Sequence, residues 1–501
     1  MFTLLSRVLG LVRDVTIALF FGASAGADAF FIAFKIPNFF RRLFAEGAFA
    51  QAFVPVLTEY KTQRTHAEVR ALVDRVAGNL GVLLASMTAL ASLTAPWLVM
   101  VFAPGYIEFE EKLSLAAELL RITFPYLLLI SMTAFAGSVL NSYGHFAAPA
   151  FAPVLLNLCL IGAALWGAPL MDVPAHALAW GVLVAGILQL SAQIPFLIQK
   201  KLLPRLKVDW HDEGVIRILK LMAPALFGVS VSQLNLLLDT VLASFLVTGS
   251  ISWLYYADRL MELPLGLFGI AIGTVILPKL SEQYANQSRE AFSQTLDWAL
   301  RFVLVLGAPA AVALFMLAEP IIITLLQYKE FTLFDVNMAA LGLRAYSLGI
   351  LAFMLIKVLA PGYFSRQDIK TPVKIGIWAM VLNMALNLVL ISQFKHIGLA
   401  VATSLSATFN AGFLYFGLRK QGVFIPSPGW FKFGLQIVVA CTAMSLILLW
   451  QLPAVREISG TSVMVRIGML SQYILSGAVV YFGMLFVTGM RVRHVLKGAE
   501  S

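Results

Sequence analysis

The feature that most constrains the fold is a succession of apolar runs, each about as long as a membrane-spanning helix. A helix needs roughly 20 apolar residues to cross a bilayer, and about fourteen such segments follow one another along the chain. They centre on residues 3–21, 27–58, 70–103, 114–142, 147–168, 175–198, 214–247, 250–282, 290–326, 334–364, 370–393, 396–418, 430–451 and 463–489. Only 12% of the 501 residues are charged, whereas soluble domains reach about 25%. The sequence therefore predicts an all-α polytopic membrane protein.

Basic residues are distributed unevenly between alternate loops. One set of loops carries most of the Lys and Arg, including Lys200, Lys201 and Arg205, and the tail with Arg491 and Arg493 falls on the same side. Cytoplasmic loops collect basic residues, so we expect both termini in the cytoplasm. The net charge of +10 is then a property of membrane loops. Because it forms no basic patch on a soluble domain, we expect no nucleic-acid partner.

The two halves of the chain resemble each other. The strings FFIAFKIPNFF and AFVPVLTEYKTQ within 30–63 have counterparts in LYYADRLMELP and TVILPKLSEQYANQ within 254–287. These repeats run in the same direction, which is typical of parallel repeats related by an axis along the membrane normal. We therefore expect two six-helix lobes at 1–210 and 211–425, followed by two extra helices and a cytoplasmic tail at 426–501.

The second segment is unusually polar for a membrane span. It carries Asp28, Lys35, Arg41, Arg42 and Glu46. Each charge at the bilayer centre costs about 2.5–3.5 kcal/mol on insertion scales. Charged groups and irregular backbone are tolerated at that depth where they line a protein cavity filled with water. The segment therefore indicates a transport protein whose polar cavity it lines.

Two other segments repeat a pattern of polar residues. Ser6 and Arg13 in the first segment are seven residues apart, as are Ser252 and Arg259 in the eighth. Seven residues are two helical turns, so each pair shares a helix face. Arg7 lies on a neighbouring face of the first segment. The spacing predicts a polar stripe on each of these helices.

The arginines indicate the charge of the substrate. Arginine presents a planar fork of donors that suits phosphate oxygens. If the lobes face each other, Arg13, Arg41 and Arg259 converge on one cavity for an anionic, phosphorylated substrate. The alternative is internal ion pairing, which is common for charges inside membranes. The pairs that this alternative predicts are Arg13 with Asp28, Arg42 with Glu46, and Arg259 with Glu262.

A second polar group is a candidate cation site. Asp239, Asn383, Asn387 and Thr403 lie in apolar segments, and Asn383 and Asn387 are one turn apart on one face. Oxygen ligands suit a hard cation, so a sodium site is one interpretation. The alternative is a buried hydrogen-bond network between helices.

The remaining sequence carries no enzyme signature. It contains no glycine-rich phosphate loop, Walker A motif or nucleophile elbow, so we expect a protein that is not an enzyme. An ion gradient, the membrane potential or the substrate gradient would then supply the energy for transport.

The last two segments, which have little charge, either pack structurally or form an apolar groove for a lipid tail.

Four long motifs carry a resemblance to a known family. They are SRVLGLVRD (6–14), ADAFFIAFKIPNFFRRLFAEGAFAQAFVPVLTEY (27–60), SWLYYADRLMELPLGLFGIAIGTVILP (252–278) and VLAPGYFSRQDIKTPVKI (358–375). Over nearly its whole length the chain resembles the MurJ (MviN) lipid II flippases of the multidrug/oligosaccharidyl-lipid/polysaccharide exporter superfamily. The resemblance implies fourteen helices, two lobes and a cationic central cavity in a bacterial inner membrane protein. It also implies transport of an undecaprenyl-pyrophosphate-linked peptidoglycan precursor to the outer leaflet by alternating access.

The resemblance also implies which residues take part. The positions that match the family's substrate-binding residues are Ser6, Arg7, Arg13, Asp28, Arg41, Glu46, Ser252, Arg259 and Glu262. The family's sodium site corresponds to Asp239, Asn383, Asn387 and Thr403, and its tail groove to the last two segments. The expected partners are lipid II and membrane lipids, a monomer suffices, and the family pattern leads us to expect a longer segment before Ser6.

Three other functions fit parts of the pattern. A flippase for another lipid-linked oligosaccharide would need the same cationic cavity. A cation-coupled drug exporter of the same superfamily would have carboxylates rather than arginines in its cavity. A membrane-embedded transferase acting on the same lipid would need an acidic, metal-binding loop, for which residues 108–111 are the one candidate.

Overall fold

The computed structural model describes residues 2–43, 49–266, 270–452 and 455–490. Helices account for the regular structure, and no β-strand occurs within these ranges. The α-helices are α1 Phe2–Phe21, α2 Ala25–Arg41, α3 Ala50–Gln63, α4 His66–Leu93, α5 Ala95–Phe102, α6 Glu110–Thr123, α7 Tyr126–Ser142, α8 Ala147–Gly162, α9 Ala175–Ser191, α10 Ile194–Gln199, α11 Glu213–Ala243, α12 Ser250–Pro264, α13 Ile270–Ala285, α14 Arg289–Met316, α15 Ala318–Leu326, α16 Leu333–Phe364, α17 Lys370–Lys420, α18 Trp430–Gln451, α19 Val455–Ser459 and α20 Val463–Val487. This pattern confirms the prediction of an all-α polytopic protein.

Twelve of the fourteen predicted segments contain one helix or a pair of consecutive helices each. Two of the segments, 370–393 and 396–418, lie together in α17, which is 51 residues long. The break between them is at Lys395, whose φ of 51° and ψ of −130° are not helical. The predicted separation into two spans is therefore confirmed, although the intervening loop is a kink of one residue.

Nine helical stretches of the described chain are long and apolar enough to cross a membrane. Within the described residues, these nine stretches do not include four of the predicted segments, namely 3–21, 27–58, 214–247 and 250–282. These four segments are the first two of each predicted lobe. They also contain Asp239 and all nine predicted substrate-binding residues.

The chain divides into two compact units. The first comprises Met1–Ser252 and Tyr328–Phe331, and the second comprises Trp253–Gln327 and Thr332–Ser501. In the first unit, α3, α4, α7 and α11 bury a common apolar core that includes Phe53, Val73 and Phe135. In the second, α14, α18 and α20 form another core around Val305, Met444 and Tyr481. The predicted domain boundaries at 210 and 425 stay predictions.

The segment 202–212, between α10 and α11, lies across α4, and we call it the strap. The Asn79 side chain fixes it at two points, since Nδ2 donates to the Asp209 carbonyl at 2.7 Å and Oδ1 accepts from the Asp209 N–H at 2.9 Å. Gly78 permits this approach, because a Cβ at that position would collide with the backbone of Lys207. The small residue in α4 therefore determines where the strap can pass.

Candidate functional site

Arg13 lies on α1 and its side chain is held on two sides. Its Nε and Nη2 donate to Asp14 Oδ1 at 2.9 and 2.7 Å, and its Nη1 donates to Asn157 Oδ1 at 3.0 Å. The residue is only 7% exposed. Asn157 also donates from Nδ2 to the Ser6 carbonyl at 2.9 Å. Ser6 and Arg7 are half-buried on the same helix. The first predicted polar stripe, Ser6 and Arg13, therefore includes a guanidinium group that is held in place by hydrogen bonds.

Asp28 contacts the beginning of α12. Its Oδ1 accepts hydrogen bonds from the Ser252 hydroxyl at 2.6 Å and the Ser252 N–H at 2.9 Å, while Oδ2 accepts the Gly249 N–H at 2.6 Å. A carboxylate is favourable there, because the first N–H groups of a helix lack partners within it. The predicted pairing of Arg13 with Asp28 is therefore wrong, since the adjacent Asp14 pairs with Arg13 and Asp28 binds the α12 N-terminus.

Two arginines in different environments lie at the C-terminal end of α2. Arg41 is half-buried and its Nε donates to Asn38 Oδ1 at 3.0 Å, one turn earlier in the same helix. Arg42, which follows the helix, is exposed. Glu46 lies outside the described residues, so the predicted pair of Arg42 with Glu46 stays a prediction.

Arg259 on α12 forms the predicted pair within one helix. Its Nη1 donates to Glu262 Oε2 at 2.7 Å, with the i, i+3 spacing predicted from the sequence. The guanidinium carbon also lies 5.3 Å from the centre of the Tyr255 ring. Arg259 is 37% exposed at its side chain and Glu262 is 48% exposed. The pair is accessible to water and is therefore weak enough for either partner to exchange for another ligand.

Three of the four residues of the candidate cation site, Asn383, Asn387 and Thr403, lie within contact of one another. Asn387 Nδ2 donates to Asn383 Oδ1 at 3.0 Å, and Asn383 Nδ2 lies 3.4 Å from the Thr403 hydroxyl oxygen. The second contact joins the two halves of α17, and both contacts match the predicted hydrogen-bond network. Asp239 is half-buried on α11, which belongs to the first compact unit. The described residues contain no cluster of three His, Cys, Asp or Glu suited to a metal, and the sodium site stays a prediction.

Comparison with known families matches residues 17–469 to the family described as lipid II flippase MurJ. The chain belongs to this family. A Haemophilus influenzae protein named "Probable lipid II flippase MurJ" is 49% identical over 507 residues, which cover 99% of both chains. A solved structure described as a MurJ lipid II flippase in an inward closed conformation is 25% identical, with a TM-score of 0.77. The match covers 97% of this chain and 98% of that one.

A more distant structural match shows how widely the fold is shared. An inward-facing multidrug resistance transporter of the MATE family, in the MOP superfamily, gives a TM-score of 0.69 over 83% of this chain and 95% of its own. Only 14% of the aligned residues are identical, so this likeness concerns the fold alone. The predicted MurJ family is confirmed by the family match over residues 17–469.

Two amides of this MurJ-family chain were missed by the sequence analysis. Asn157 contacts Arg13, and Asn38 contacts Arg41. Both lie in apolar helical segments, where an amide is costly unless it is hydrogen-bonded. A lone Asn in LLNLCL was therefore the available signal for Asn157, although it did not indicate the partner.

The last two predicted segments pack tightly and contain a buried arginine. Arg466, near the beginning of α20, donates to the backbone carbonyls of Ile323, Gln327, Ser459 and Thr461. It thus caps the C-terminal end of α15, where it bonds the carbonyl oxygens of Ile323 and Gln327. An apolar cavity of about 390 Å³ lies between α14, α16 and α17 and reaches α18 at its first residue. The predicted tail groove along the last two segments stays a prediction.

Proposed function

We propose that this protein is a lipid II flippase, which moves undecaprenyl-pyrophosphate-linked peptidoglycan precursor from the inner to the outer leaflet of the cytoplasmic membrane. The observation that carries the proposal is the match to the lipid II flippase family over residues 17–469. Relatives that are 49% and 48% identical over 99% of the chain are both named "Probable lipid II flippase MurJ". Arginines inside apolar segments supply the chemistry that a pyrophosphate group requires.

We propose that Arg13, Arg41 and Arg259 bind the pyrophosphate. A charge-assisted hydrogen bond from a guanidinium to a phosphate oxygen is roughly twice as strong as a neutral one. When substrate is absent, Asp14 satisfies Arg13, because a buried charge without a partner is costly, and Glu262 pairs with the more exposed Arg259. Asp28 has another function in this proposal, since it binds the first turn of α12 rather than an arginine.

The proposed cycle involves transport without covalent chemistry. The polyprenyl tail remains in lipid while the head group crosses through alternating access. With the interior negative, the membrane potential favours outward movement of an anionic head group by about 2.3 kcal/mol per charge per 100 mV. We further propose that both termini are cytoplasmic, as the basic loops predict, and that sodium binding at Asp239, Asn383, Asn387 and Thr403 contributes to coupling.

The test is lipid II externalisation in bacterial cells depleted of their own flippase. The cells would express wild-type protein, the Arg13→Ala/Arg259→Ala variant, or a Lys432→Ala control that removes an exposed cation on α18. Immunoblots would confirm equal membrane levels. We expect externalisation with wild type and control and at least a ten-fold loss with the double variant.

Two results would contradict different parts of the proposal. If wild-type protein is present in the membrane but lipid II stays inside, the substrate is wrong, and export of another lipid-linked oligosaccharide should be measured in the same cells. If the double variant externalises lipid II at the wild-type rate, the substrate stands and the assigned arginines are wrong.

A further inference from the structure

Asn157 connects two groups on α1 from a neighbouring helix. Its Oδ1 accepts from Arg13 Nη1 at 3.0 Å, and its Nδ2 donates to the Ser6 carbonyl at 2.9 Å. The residue is 4% exposed and lies on α8. We propose that Asn157 is a positioning residue that orients Arg13 for the pyrophosphate of the substrate. This inference rests on the proposed function.

The two contacts of Asn157 determine its orientation. A carboxamide has one acceptor oxygen and one donor nitrogen, and here the oxygen faces a guanidinium that only donates and the nitrogen faces a carbonyl that only accepts. Rotating the amide by half a turn would place donor against donor and acceptor against acceptor. The Ser6 carbonyl therefore fixes the amide, and the amide in turn fixes one edge of the Arg13 side chain.

The neutrality of Asn157 is the second part of the argument. Asp14 already supplies one negative charge to Arg13, at 2.7 Å. A carboxylate at position 157 would bring a second negative charge to the same guanidinium, so the group would carry a net negative charge and repel phosphate oxygens. It would also lack the donor that the Ser6 carbonyl accepts. An amide thus holds Arg13 in place without adding a negative charge to it.

The Asn157 amide packs against α1. Gly10 lies opposite the amide, and a Cβ there would be 3.8 Å from Asn157 Nδ2, in ordinary contact. Asn157 therefore packs directly on the helix that carries Arg13. We expect the orientation of Arg13 to change when this contact is removed, even though Asp14 remains.

The experiment measures the affinity of purified full-length protein for lipid II in nanodiscs. The variants are Asn157→Ala, Arg13→Ala and the double variant. Gln189→Ala is the matched control, because Gln189 is 1% exposed and donates from Nε2 to the Ala152 carbonyl of the same α8 helix at 2.7 Å. Melting temperatures of all variants would be recorded beside their affinities.

We expect Asn157→Ala to bind lipid II at least ten-fold more weakly, and Gln189→Ala to bind within two-fold of wild type despite a similar fall in melting temperature. If Asn157 acts through Arg13, the double variant binds no more weakly than Arg13→Ala alone. Asn157→Asp keeps the acceptor and adds a charge, and we expect it to bind no better than Asn157→Ala.

Each opposing result has a distinct meaning. Wild-type affinity in Asn157→Ala or Asn157→Asp would overturn the positioning role while leaving the flippase proposal intact. Multiplicative losses in the double variant would also overturn it, because Asn157 would then act independently of Arg13. Absence of lipid II binding by the wild-type protein would refute the proposed function, and the positioning role with it.

Discussion

The Asp28 carboxylate accepts a hydrogen bond from the Ser252 hydroxyl at 2.6 Å, although the two residues are 224 positions apart. The same carboxylate accepts the backbone N–H groups of Ser252 and Gly249. One buried acid in α2 thus satisfies three donors at the beginning of α12. The conformation of this helix start therefore depends on a side chain from a distant part of the sequence.

Replacing Asp28 is expected to destabilise the protein. Asp28→Ala leaves three buried donors without an acceptor, and each such loss costs about 1–3 kcal/mol, so we expect a loss of about 3 kcal/mol or more. Asp28→Asn retains one acceptor oxygen and should have a smaller effect. Thermal unfolding of the purified protein measures both. Equal melting temperatures for wild type and Asp28→Ala would show that the contact contributes nothing.

The strap provides a prediction with a control in the same helix. Gly78→Ala places a Cβ against the backbone of Lys207, so the strap must move, and we expect about 2 kcal/mol of destabilisation. A Cβ at Gly81 meets no atom within 4 Å, and alanine is the better helix former by about 1 kcal/mol. Gly81→Ala should therefore melt at or above the wild-type temperature. A pair of variants that melt together would contradict the packing of the strap.

Arg466 is expected to be important for stability rather than for transport. Arg466→Leu removes the donors to four carbonyl oxygens, and hydrogen bonds to charged groups contribute about 1.5–3 kcal/mol each. We expect a large fall in melting temperature, and an intermediate one for Arg466→Lys, which keeps the charge without the planar fork. Lys432→Ala, at an exposed cation, is the control. Normal stability of Arg466→Leu would exclude the capping role.

The ion pair between Glu59 and Arg217 is expected to make the stability of the protein depend on pH. Arg217 Nη1 and Nη2 donate to Glu59 Oε1 and Oε2 at 2.8 and 2.7 Å, and these hydrogen bonds lower the pKa of Glu59. A lowered folded-state pKa stabilises the protein above the unfolded-state pKa, and this contribution is lost as the pH falls through the folded value.

The melting temperature of wild-type protein should therefore exceed that of Glu59→Gln at neutral pH. The difference is expected to be modest, because exposed pairs contribute little. It should begin to shrink as the pH falls below about 4.3, the ordinary pKa of a glutamate, and be lost below the lowered folded-state pKa. Measuring both proteins across this range tests the sign. A difference that grows with acidity would show that another group is responsible.

Contacts within one helix could be predicted from the sequence. The i, i+3 spacing of Arg259 and Glu262 predicted their pair, and the i, i+4 spacing of Asn383 and Asn387 predicted a shared face. The helices themselves followed from the length of the apolar runs, because the bilayer fixes how long a span must be. These relationships depend only on local helical geometry.

Contacts between distant helices could not be predicted in the same way. The contact of Arg13 with Asn157 depends on the register of α8 against α1, and apolar periodicity does not determine that register to within one residue. The wrong pairing of Arg13 with Asp28 has the same cause, since nothing in the sequence placed the beginning of α12 beside Asp28. Charge complementarity alone does not determine which of several oppositely charged residues pairs with a given side chain.

The most direct test of the central claim is transport by the purified protein in liposomes. Lipid II labelled on its head group would be incorporated with the protein, a membrane potential would be imposed, and a quencher that does not cross the bilayer would report the outward-facing fraction. We predict that this fraction rises with wild-type protein and stays at the protein-free value with Arg13→Ala/Arg259→Ala. If wild-type protein leaves the labelled lipid II distributed as in protein-free liposomes, the account of this protein as a lipid II flippase is contradicted.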